Sequence, residues 1–243
     1  MKKYDLVIFG LTFFGTGVAT SYKGDTLIIE SKTKPGYEFI DSFHTGKDFE
    51  KPMQTEAGKA FSKYMKGENA GVPHIYSKTP HISKWIADKN INALLFTNVI
   101  DVAKNNDGYV ITLFNSYGKT KIFAKQIIDT RTDSYIEKKL GFITLGGTVG
   151  EVLGESVCTA ECDGYSLWEL DAQADYKDAR SRIYSMFEEE CSYSLVAVAD
   201  EFYKKADVEG ETLPEGYLKR YSTFYDNPII AFDEGAKLGG ELV

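Results

Sequence analysis

The stretch that decides the fold runs from residue 4 to residue 30. Residues 4–9 (YDLVIF) form an apolar run typical of a buried β-strand. Residues 10–15 (GLTFFG) follow at once and predict a turn that leads into a short helix. Residues 25–30 (DTLIIE) then predict a second strand that ends in an acid. Together these pieces predict a β–α–β unit.

The glycines at this turn and the acid about 20 residues later have the layout of a dinucleotide-binding fingerprint. The amino end of the helix offers unpaired N–H groups and a partial positive charge to a pyrophosphate, and Glu30 can accept hydrogen bonds from a ribose. The middle glycine of the pattern lets the backbone approach the pyrophosphate, but here it is Thr12. Its β-branched side chain either holds a nucleotide farther out or contacts it through the hydroxyl.

Two aromatic residues follow Thr12 in the turn. Phe13 and Phe14 are either helix residues that pack on the sheet or bulky groups that fill the volume a nucleotide needs. The first arrangement is compatible with nucleotide binding, whereas the second leaves only the architecture.

Composition and charge exclude several classes of protein. A net charge of -8 and a pI near 5.1 argue against a nucleic-acid partner or an anionic membrane surface. No run reaches the roughly 20 apolar residues that a spanning helix needs. The start Met1-Lys2-Lys3 is followed by too short an apolar run for a signal peptide, and three cysteines favour free thiols in a reducing compartment. We therefore expect a cytoplasmic protein, and no ligand spacing predicts a metal site.

The middle of the chain predicts two helices and then a series of strands. Helical spacing of apolar residues predicts helices over 55–66 and 80–89. Alternating segments joined by Asp-Gly and Tyr-Gly turns predict a β-meander over 93–97, 99–104, 109–115 and 121–124. Residues 125–130 (KQIIDT) predict one more strand with an acid near its carboxyl end.

Glycines over 131–155 indicate a boundary in the chain. Beyond it we predict a strand or hairpin over 157–170, a helix over 176–190, a strand over 194–199, and a terminal helix preceded by Asp226 or Asn227. The predicted division is a binding domain of residues 1–140 plus 221–243, and a smaller α+β substrate or cap region of residues 141–220.

Taken together, these pieces resemble the superfamily of FAD-dependent oxidoreductases with a glutathione-reductase-like FAD/NAD(P)-binding fold. The resemblance rests on the turn at residues 10–15, on Glu30, on the meander and on residues 124–130 (AKQIIDT), which are similar to the family's strand ending in Asp-Ala-Thr-Gly. Tyr225-Asp226 resembles the family's Gly-Asp motif with its glycine replaced.

The resemblance implies an α/β fold: a Rossmann-like FAD/NAD(P)-binding domain with a β-meander and a smaller cap or substrate region. It also implies that FAD is bound non-covalently. The implied cofactor-binding residues are Gly10, Thr12, Phe13, Phe14 and Gly15 at the pyrophosphate, Glu30 with the adjacent Ser31 at the ribose, Thr130 and Arg131 at a turn near the dinucleotide, and Asp226 on the flavin side.

Each departure from the family pattern replaces a glycine with a larger residue. Thr12, Arg131 and Tyr225 stand where the family has glycine. At each of these positions a side chain occupies space in which the family's backbone approaches the cofactor. Two functions follow from this. One is a FAD-dependent oxidoreductase with an unknown small-molecule substrate. The other is a cofactor-free member of the fold that acts as a binding or partner subunit, with a homo-oligomer also left open.

An NAD(P)-linked enzyme with a single Rossmann unit is a weaker interpretation than these two. It does not account for the meander, which the FAD family leads us to expect. No catalytic residue is identified. His44 lies on the loop expected nearest a flavin, and a solvated loop histidine is the competing interpretation. Tyr37 and Asp41 share that loop and that ambiguity.

Overall fold

The computed structural model describes most of the chain. The described residues are 1–67, 75–133, 135–142, 156–161, 164–169, 195–199 and 205–242, with residues 177, 178, 180, 181, 184, 185, 201 and 203. The helix predicted over 176–190 lies largely outside the described residues, and the glycine-rich stretch over 143–155 lies wholly outside them.

The predicted β–α–β unit is confirmed. It consists of β1 (Lys2–Phe9), α1 (Phe13–Ser21) and β2 (Thr26–Ile29), and β1 pairs with β2 in parallel. Gly10 has a φ of +95°, a left-handed conformation that glycine adopts without strain. This residue lets the chain turn sharply from β1 into α1.

Three helices follow β2. They are α2 (Tyr37–Ile40), α3 (Glu56–Lys66) and α4 (Ile75–Asp88). The Thr55 hydroxyl caps α3 by accepting the N–H of Gly58, as the sequence predicts for a helix over 55–66. The predicted start of α4 at residue 80 is wrong, because Pro80 lies inside the helix, where it lacks only one N–H donor.

The meander is present, but its strands differ in length from the prediction. They are β3 (Ala93–Leu94), β4 (Asn98–Asn105), β5 (Gly108–Asn115) and β6 (Gly118–Asp129). The prediction of β3 as far as residue 97 is wrong, because Phe96 has a φ of +52° and breaks the extended conformation. The two strands predicted over 121–124 and 125–130 are one strand, since the first part of β6 pairs with β5 and the second with β1.

The carboxyl-terminal part returns to the same sheet. After α5 (Tyr135–Lys139) and the strands β7 (Ser156–Glu161), β8 (Gly164–Glu169) and β9 (Leu195–Val198), the chain forms β10 (Gly210–Leu213), β11 (Tyr217–Arg220) and α6 (Pro228–Glu241). The sheet order is β10-β11-β6-β1-β2-β3, with β4 and β5 attached through β6. A second sheet has the order β8-β7-β9, which includes the predicted hairpin. Residues 210–220 thus belong to the large sheet, and the division of the chain into two domains stays a prediction.

Strand β1 separates two apolar clusters. Leu6 and Ile8 face the helices α1, α3, α4 and α6, whereas Val7 and Phe9 face the meander, because successive side chains of a strand point to opposite faces. Helices α1 and α6 pack backbone to backbone: a Cβ added to Gly17 would lie 2.0 Å from the carbonyl oxygen of Phe232. This packing fixes α1, and hence its amino end, against the rest of the fold.

Candidate functional site

The turn at the carboxyl end of β1 is held by two threonines. The Thr12 hydroxyl donates to the Thr130 hydroxyl at 2.8 Å, and Thr130 donates in turn to the carbonyl oxygen of Phe9 at 2.9 Å. A Cβ on Gly10 would lie only 2.7 Å from Thr130 Oγ1. The structure therefore brings the predicted residues Gly10, Thr12 and Thr130 into direct contact.

Three N–H groups at the amino end of α1 are hydrogen-bonded within the chain. The first N–H group, from Phe13, donates to Glu38 Oε1 at 2.8 Å. The N–H of Phe14 donates to Ser222 Oγ at 3.3 Å, and that of Gly15 donates to Thr12 Oγ1 at 3.0 Å. These are the donors that a pyrophosphate would use in this fold, since a helix offers its first N–H groups to anions.

Glu38 is the acid that occupies this end of the helix. It lies on α2, is 8% exposed, and accepts a second hydrogen bond from the Ser222 hydroxyl at 2.8 Å. Its Oε2 atom has no hydrogen-bond partner within the described residues. Burial raises the pKa of Glu38 to about 7, although the N–H of Phe13 and the hydroxyl of Ser222 act in the opposite direction.

Glu30, the predicted ribose ligand, is also engaged with its own backbone. It is 1% exposed; its Oε2 accepts the N–H of Leu11 at 2.7 Å and its Oε1 accepts the N–H of Lys32 at 2.8 Å. The Ser31 hydroxyl lies 3.4 Å from Oε1. Burial raises the pKa of Glu30, and these donors and Arg131 oppose the increase.

The two aromatic residues after Thr12 lie in the core. The Phe13 ring packs edge-on against Phe39 and Phe61, with centroids 5.7 and 6.2 Å away. The Phe14 ring stacks on Tyr225 at 5.8 Å. Neither ring is exposed by more than 1%, so both residues pack on the fold and do not fill the space of a nucleotide. What fills the amino end of α1 is Glu38.

Arg131 and Asp129 form an ion pair at the end of β6. Arg131 Nε and Nη2 donate to the two oxygens of Asp129 at 2.9 and 2.5 Å, and Lys219 Nζ lies 3.6 Å from Asp129 Oδ1. Burial by itself raises the pKa of Asp129, but Arg131 and Lys219 outweigh it and hold the pKa at about 2. Arg131 thus forms an ion pair with Asp129 at the position where the resemblance implies a cofactor contact.

Asp226 and His44 meet on the flavin side of the predicted crevice. Asp226 Oδ1 lies 3.0 Å from His44 Nε2, and the His44 ring stacks on Tyr203 with centroids 3.8 Å apart. His44 is 3% exposed, so the interpretation as a solvated loop histidine is wrong. Its Nδ1 accepts the N–H of Gly46, which leaves the ring proton on Nε2 facing Asp226.

Charge and burial oppose each other in this pair. Burial lowers the pKa of His44, because it disfavours the charged ring, although Asp226 acts in the opposite direction. Burial likewise works against ionised Asp226, but His44 and Lys47 together hold its pKa at about 2. Tyr203 also donates its hydroxyl to the carbonyl oxygen of Thr223, which holds the tyrosine ring against His44.

Sequence reasoning did not identify Glu38 or Ser222 as site residues. Glu38 follows β2 within a segment expected to line the site, and an acid there, beside a turn that lacks its middle glycine, was the available signal. Ser222 is 208 residues away from the N–H group that it accepts, so no local pattern indicates it.

The residues at this site do not fit a dinucleotide in this arrangement. Three of the N–H groups that would meet a pyrophosphate already have acceptors, and one of these acceptors is the carboxyl group of Glu38. Each oxygen of Glu30, the predicted ribose ligand, already accepts one backbone N–H group. In the described part of the chain, moreover, no cluster of His, Cys, Asp and Glu could hold a metal ion.

Searches for related proteins found no matching family model and no curated protein with a matching sequence. None of the helices in the described ranges has the length and apolar character that crossing a membrane requires.

Solved structures do share the fold. The OxyS anhydrotetracycline hydroxylase of Streptomyces rimosus matches 99% of this chain with a TM-score of 0.58 at 14% identity, and the chain spans 62% of that protein. A geranylgeranyl bacteriochlorophyll reductase-like protein of Thermoplasma acidophilum matches with a TM-score of 0.62 at 12% identity, covering 98% of this chain and 77% of its own. A flavoprotein/dehydrogenase of Cytophaga hutchinsonii gives 0.53 at 15% identity, with coverages of 99% and 78%.

These likenesses define the class of fold. The chain has the α/β fold with a mixed sheet that is found in the Rossmann-like FAD-binding domains of flavoprotein hydroxylases and reductases, and the expected fold class is confirmed. They do not single out the glutathione-reductase-like branch. Identities of 12–15% show the fold alone, and a fold does not determine function.

Proposed function

We propose that this chain is a cofactor-free member of the flavoprotein fold and acts as a binding or partner subunit. The observation that carries the proposal is the hydrogen bond from the N–H of Phe13 to the buried carboxylate of Glu38. Glu38 supplies from within the chain the hydrogen-bond acceptor that this end of α1 would otherwise receive from a ligand.

Glu38 and a dinucleotide would compete for the same N–H group. Above about pH 7, where Glu38 is ionised, its carboxylate would also repel a pyrophosphate in a desolvated site. A bound dinucleotide would therefore have to displace Glu38 from Phe13 and Ser222, and each of those hydrogen bonds would be broken. Thr12 adds a side chain where the fold usually provides the space of a glycine.

Exposed apolar side chains are consistent with a role in contacting another protein. Leu95, Phe96 and Phe114 are 42%, 64% and 47% exposed. They lie near one another, because Asn98, two residues after Phe96, pairs with Phe114 across β4 and β5. Apolar side chains grouped on a surface are typical of contact regions.

The first test is a measurement on the purified wild-type chain. We expect a colourless protein whose melting temperature does not change with saturating FAD, NAD or ADP, because ligand binding to the native state alone would raise it. A yellow protein, or a rise in melting temperature with FAD, would overturn the proposal.

A second test asks whether Glu38 is the group that excludes the ligand. In Glu38→Ala the N–H of Phe13 loses its acceptor, and we expect ADP to raise the melting temperature of this variant although it leaves the wild type unchanged. Glu56→Ala is the matched control, since Glu56 lies in the first turn of α3 and its side chain is exposed. Equal responses of the two variants would contradict the role assigned to Glu38.

A FAD-dependent oxidoreductase that binds FAD non-covalently is the second candidate, with its substrate unknown. The likeness of the fold to flavoproteins favours it, and so do the glycines kept at positions 10 and 15. In that case the flavin would carry the chemistry, and the chain would only position it. The spectrum of the wild-type protein decides between the two candidates.

A further inference from the structure

A buried polar cluster at the carboxyl ends of β6 and β11 is not used by the proposed function. Asp129, Glu137 and Lys219 are 0% exposed, as is Tyr217 between them. The Tyr217 hydroxyl lies 3.1 Å from Asp129 Oδ2 and 2.9 Å from Glu137 Oε1. Lys219 Nζ lies 3.1 Å from the same oxygen of Glu137.

The number of protons between the two carboxyl groups and the tyrosine can be counted. A tyrosine hydroxyl has one hydrogen and can donate it to only one carboxylate. Burial raises the pKa of Tyr217, so the hydroxyl keeps this hydrogen. Both short contacts are hydrogen bonds only if one carboxyl group carries a proton and donates it to Tyr217.

Glu137 is the carboxyl group that carries this proton. Asp129 is held ionised by two hydrogen bonds from Arg131, and Lys219 is close to it as well. Glu137 has only Lys219 as a cationic neighbour within the described residues, and its Oε2 has no hydrogen-bond partner among them. Burial, followed by the charge of Asp129, raises the pKa of Glu137 to about 7.

Glu137 lies on α5, and its contacts hold that helix to the sheet. Ile136 packs in the apolar cluster on the meander side, and Lys139 pairs with Asp101 of β4 at the surface. Phe142, just after the helix, packs edge-on against Tyr217 with centroids 5.7 Å apart. Glu137 is therefore the buried polar attachment of α5 to β11.

We propose that Glu137 keeps its proton in the folded protein at pH values at which an exposed glutamate has lost it, and that rising pH therefore loosens α5 from β11. Loss of the proton leaves the Glu137 carboxylate facing the oxygen lone pairs of Tyr217, whose hydrogen remains with Asp129. The Glu137–Tyr217 contact then becomes repulsive, and only Lys219 still attracts the carboxylate.

The groups that contact Glu137 are Tyr217 and Lys219 of β11, and Asp129 of β6 contacts both of them. Farther out, Arg131 pairs with Asp129, the Asp133 carbonyl oxygen accepts from Lys219, and the Tyr109 ring of β5 packs edge-on against Tyr217. Thr130 lies between Asp129 and Arg131 and is hydrogen-bonded to Thr12. A movement of this cluster would therefore also displace the turn before α1. The inference does not rest on the proposed function.

Amide hydrogen exchange of residues 135–142, measured on the full chain between pH 5 and pH 8, tests the proposal. After correction for the intrinsic rate, we expect the opening equilibrium of α5 in the wild type to rise by up to about tenfold per pH unit until about pH 7 and then to level off. Glu137→Gln keeps a neutral donor to Tyr217, so its α5 should show no such rise. Glu38→Gln is the matched control and should behave as the wild type at α5.

A second measurement reads the proton directly. At pH 6, infrared difference spectra of the wild type should show protonated carboxyl bands from both Glu137 and Glu38. Glu137→Gln should lose one of these bands, and Glu38→Gln should keep that band and lose the other. If Glu137→Gln does not fold, Tyr217→Phe serves instead, since it removes the acceptor of the proton and should shift the exchange transition. A pH-independent opening of α5 in the wild type, or equal behaviour of wild type and Glu137→Gln, would overturn the inference. A yellow protein would overturn only the proposed function.

Discussion

The amino end of α1 and the carboxyl end of β6 each bury a carboxyl group, but they neutralise it in different ways. Asp129 is surrounded by two cations, Arg131 and Lys219, and its pKa lies at about 2 in spite of complete burial. Glu38 meets only N–H and O–H donors, and burial raises its pKa to about 7. Neutral donors thus offset the increase in carboxyl pKa that burial causes much less than cations do.

This difference explains how the two regions depart from a cofactor site. At the end of β6, Arg131 stands at the position of a glycine in the family pattern, and its guanidinium group forms an ion pair with Asp129. At α1 the N–H donors of the fold are kept, but Glu38, Ser222 and Thr12 of the same chain accept their hydrogen bonds. The first change is an ion pair, and the second is an internal ligand that a change of pH can neutralise.

The largest effect is expected from breaking the ion pair. Asp129→Asn removes the carboxylate shared by the partly buried Arg131 and the buried Lys219, which keep Asp133 and Glu137 as acidic neighbours. Breaking a buried ion pair in this way costs up to roughly 3–5 kcal/mol. Urea unfolding at pH 7 measures this as a fall in the free energy of unfolding. A loss below about 1 kcal/mol would show that the two regions do not differ as described.

A smaller effect is expected at Glu38, and it depends on pH. Since the pKa of Glu38 is about 7 in the folded chain and near 4.5 when exposed, its contribution to stability is complete below pH 4.5 and is lost as pH rises to about 7. The loss is on the order of 3 kcal/mol. Unfolding free energies measured from pH 4.5 to 8 should therefore decline less steeply in Glu38→Gln than in the wild type.

Glu137 contributes a decline of the same sign, so the single variant retains part of the slope. The double variant Glu38→Gln with Glu137→Gln should have the flattest profile of all. If Glu38→Gln and the wild type decline in parallel, Glu38 is ionised in the fold, and the contrast with Asp129 fails.

The cap of α1 should have a smaller effect again. Thr12→Ala removes the acceptor of the Gly15 N–H and the donor to Thr130, at a cost of about 1 kcal/mol. Thr12→Ser keeps the hydroxyl and is the control, with a stability closer to the wild type. Thermal unfolding of the three proteins would contradict this prediction if alanine and serine were equivalent.

The smallest effect is expected for an exposed ion pair next to the buried cluster. Lys139 and Asp101 lie 2.8 Å apart, but water reaches both side chains, which are 37% and 54% exposed. Lys139→Met should leave the urea midpoint indistinguishable from the wild type. A decrease comparable to that of Asp129→Asn would mean that burial does not set the difference between these pairs.

Local sequence was sufficient for the elements that are built from neighbouring residues. The apolar run before Gly10, the acid after β2, the apolar spacing over 55–66 and the turns of the meander all predict structures that the fold contains. Pro80 misled the prediction of α4, and β6 was divided in two. β6 is one strand because it pairs with β5 along its first part and with β1 along its second, which its local sequence does not indicate.

The contents of the site could not be predicted in the same way. Ser222 meets Phe14 across 208 positions of sequence, and Tyr217 meets Asp129 across 88. His44 is a loop residue by local pattern, yet Tyr203 and Asp226 bury it. Such contacts depend on the order of the strands in the sheet, and no short sequence motif specifies that order.

By itself, the sequence determined that a strand, a tight turn and a helix begin the chain, because apolar periodicity and glycine act over a few residues. The tertiary structure alone decided that Glu38 binds the helix that follows the turn and that Glu137 shares a proton with Tyr217. The ionisation and hydrogen bonding of these groups depend on the distances between them and on their burial. Those distances and that burial are defined only in the folded chain.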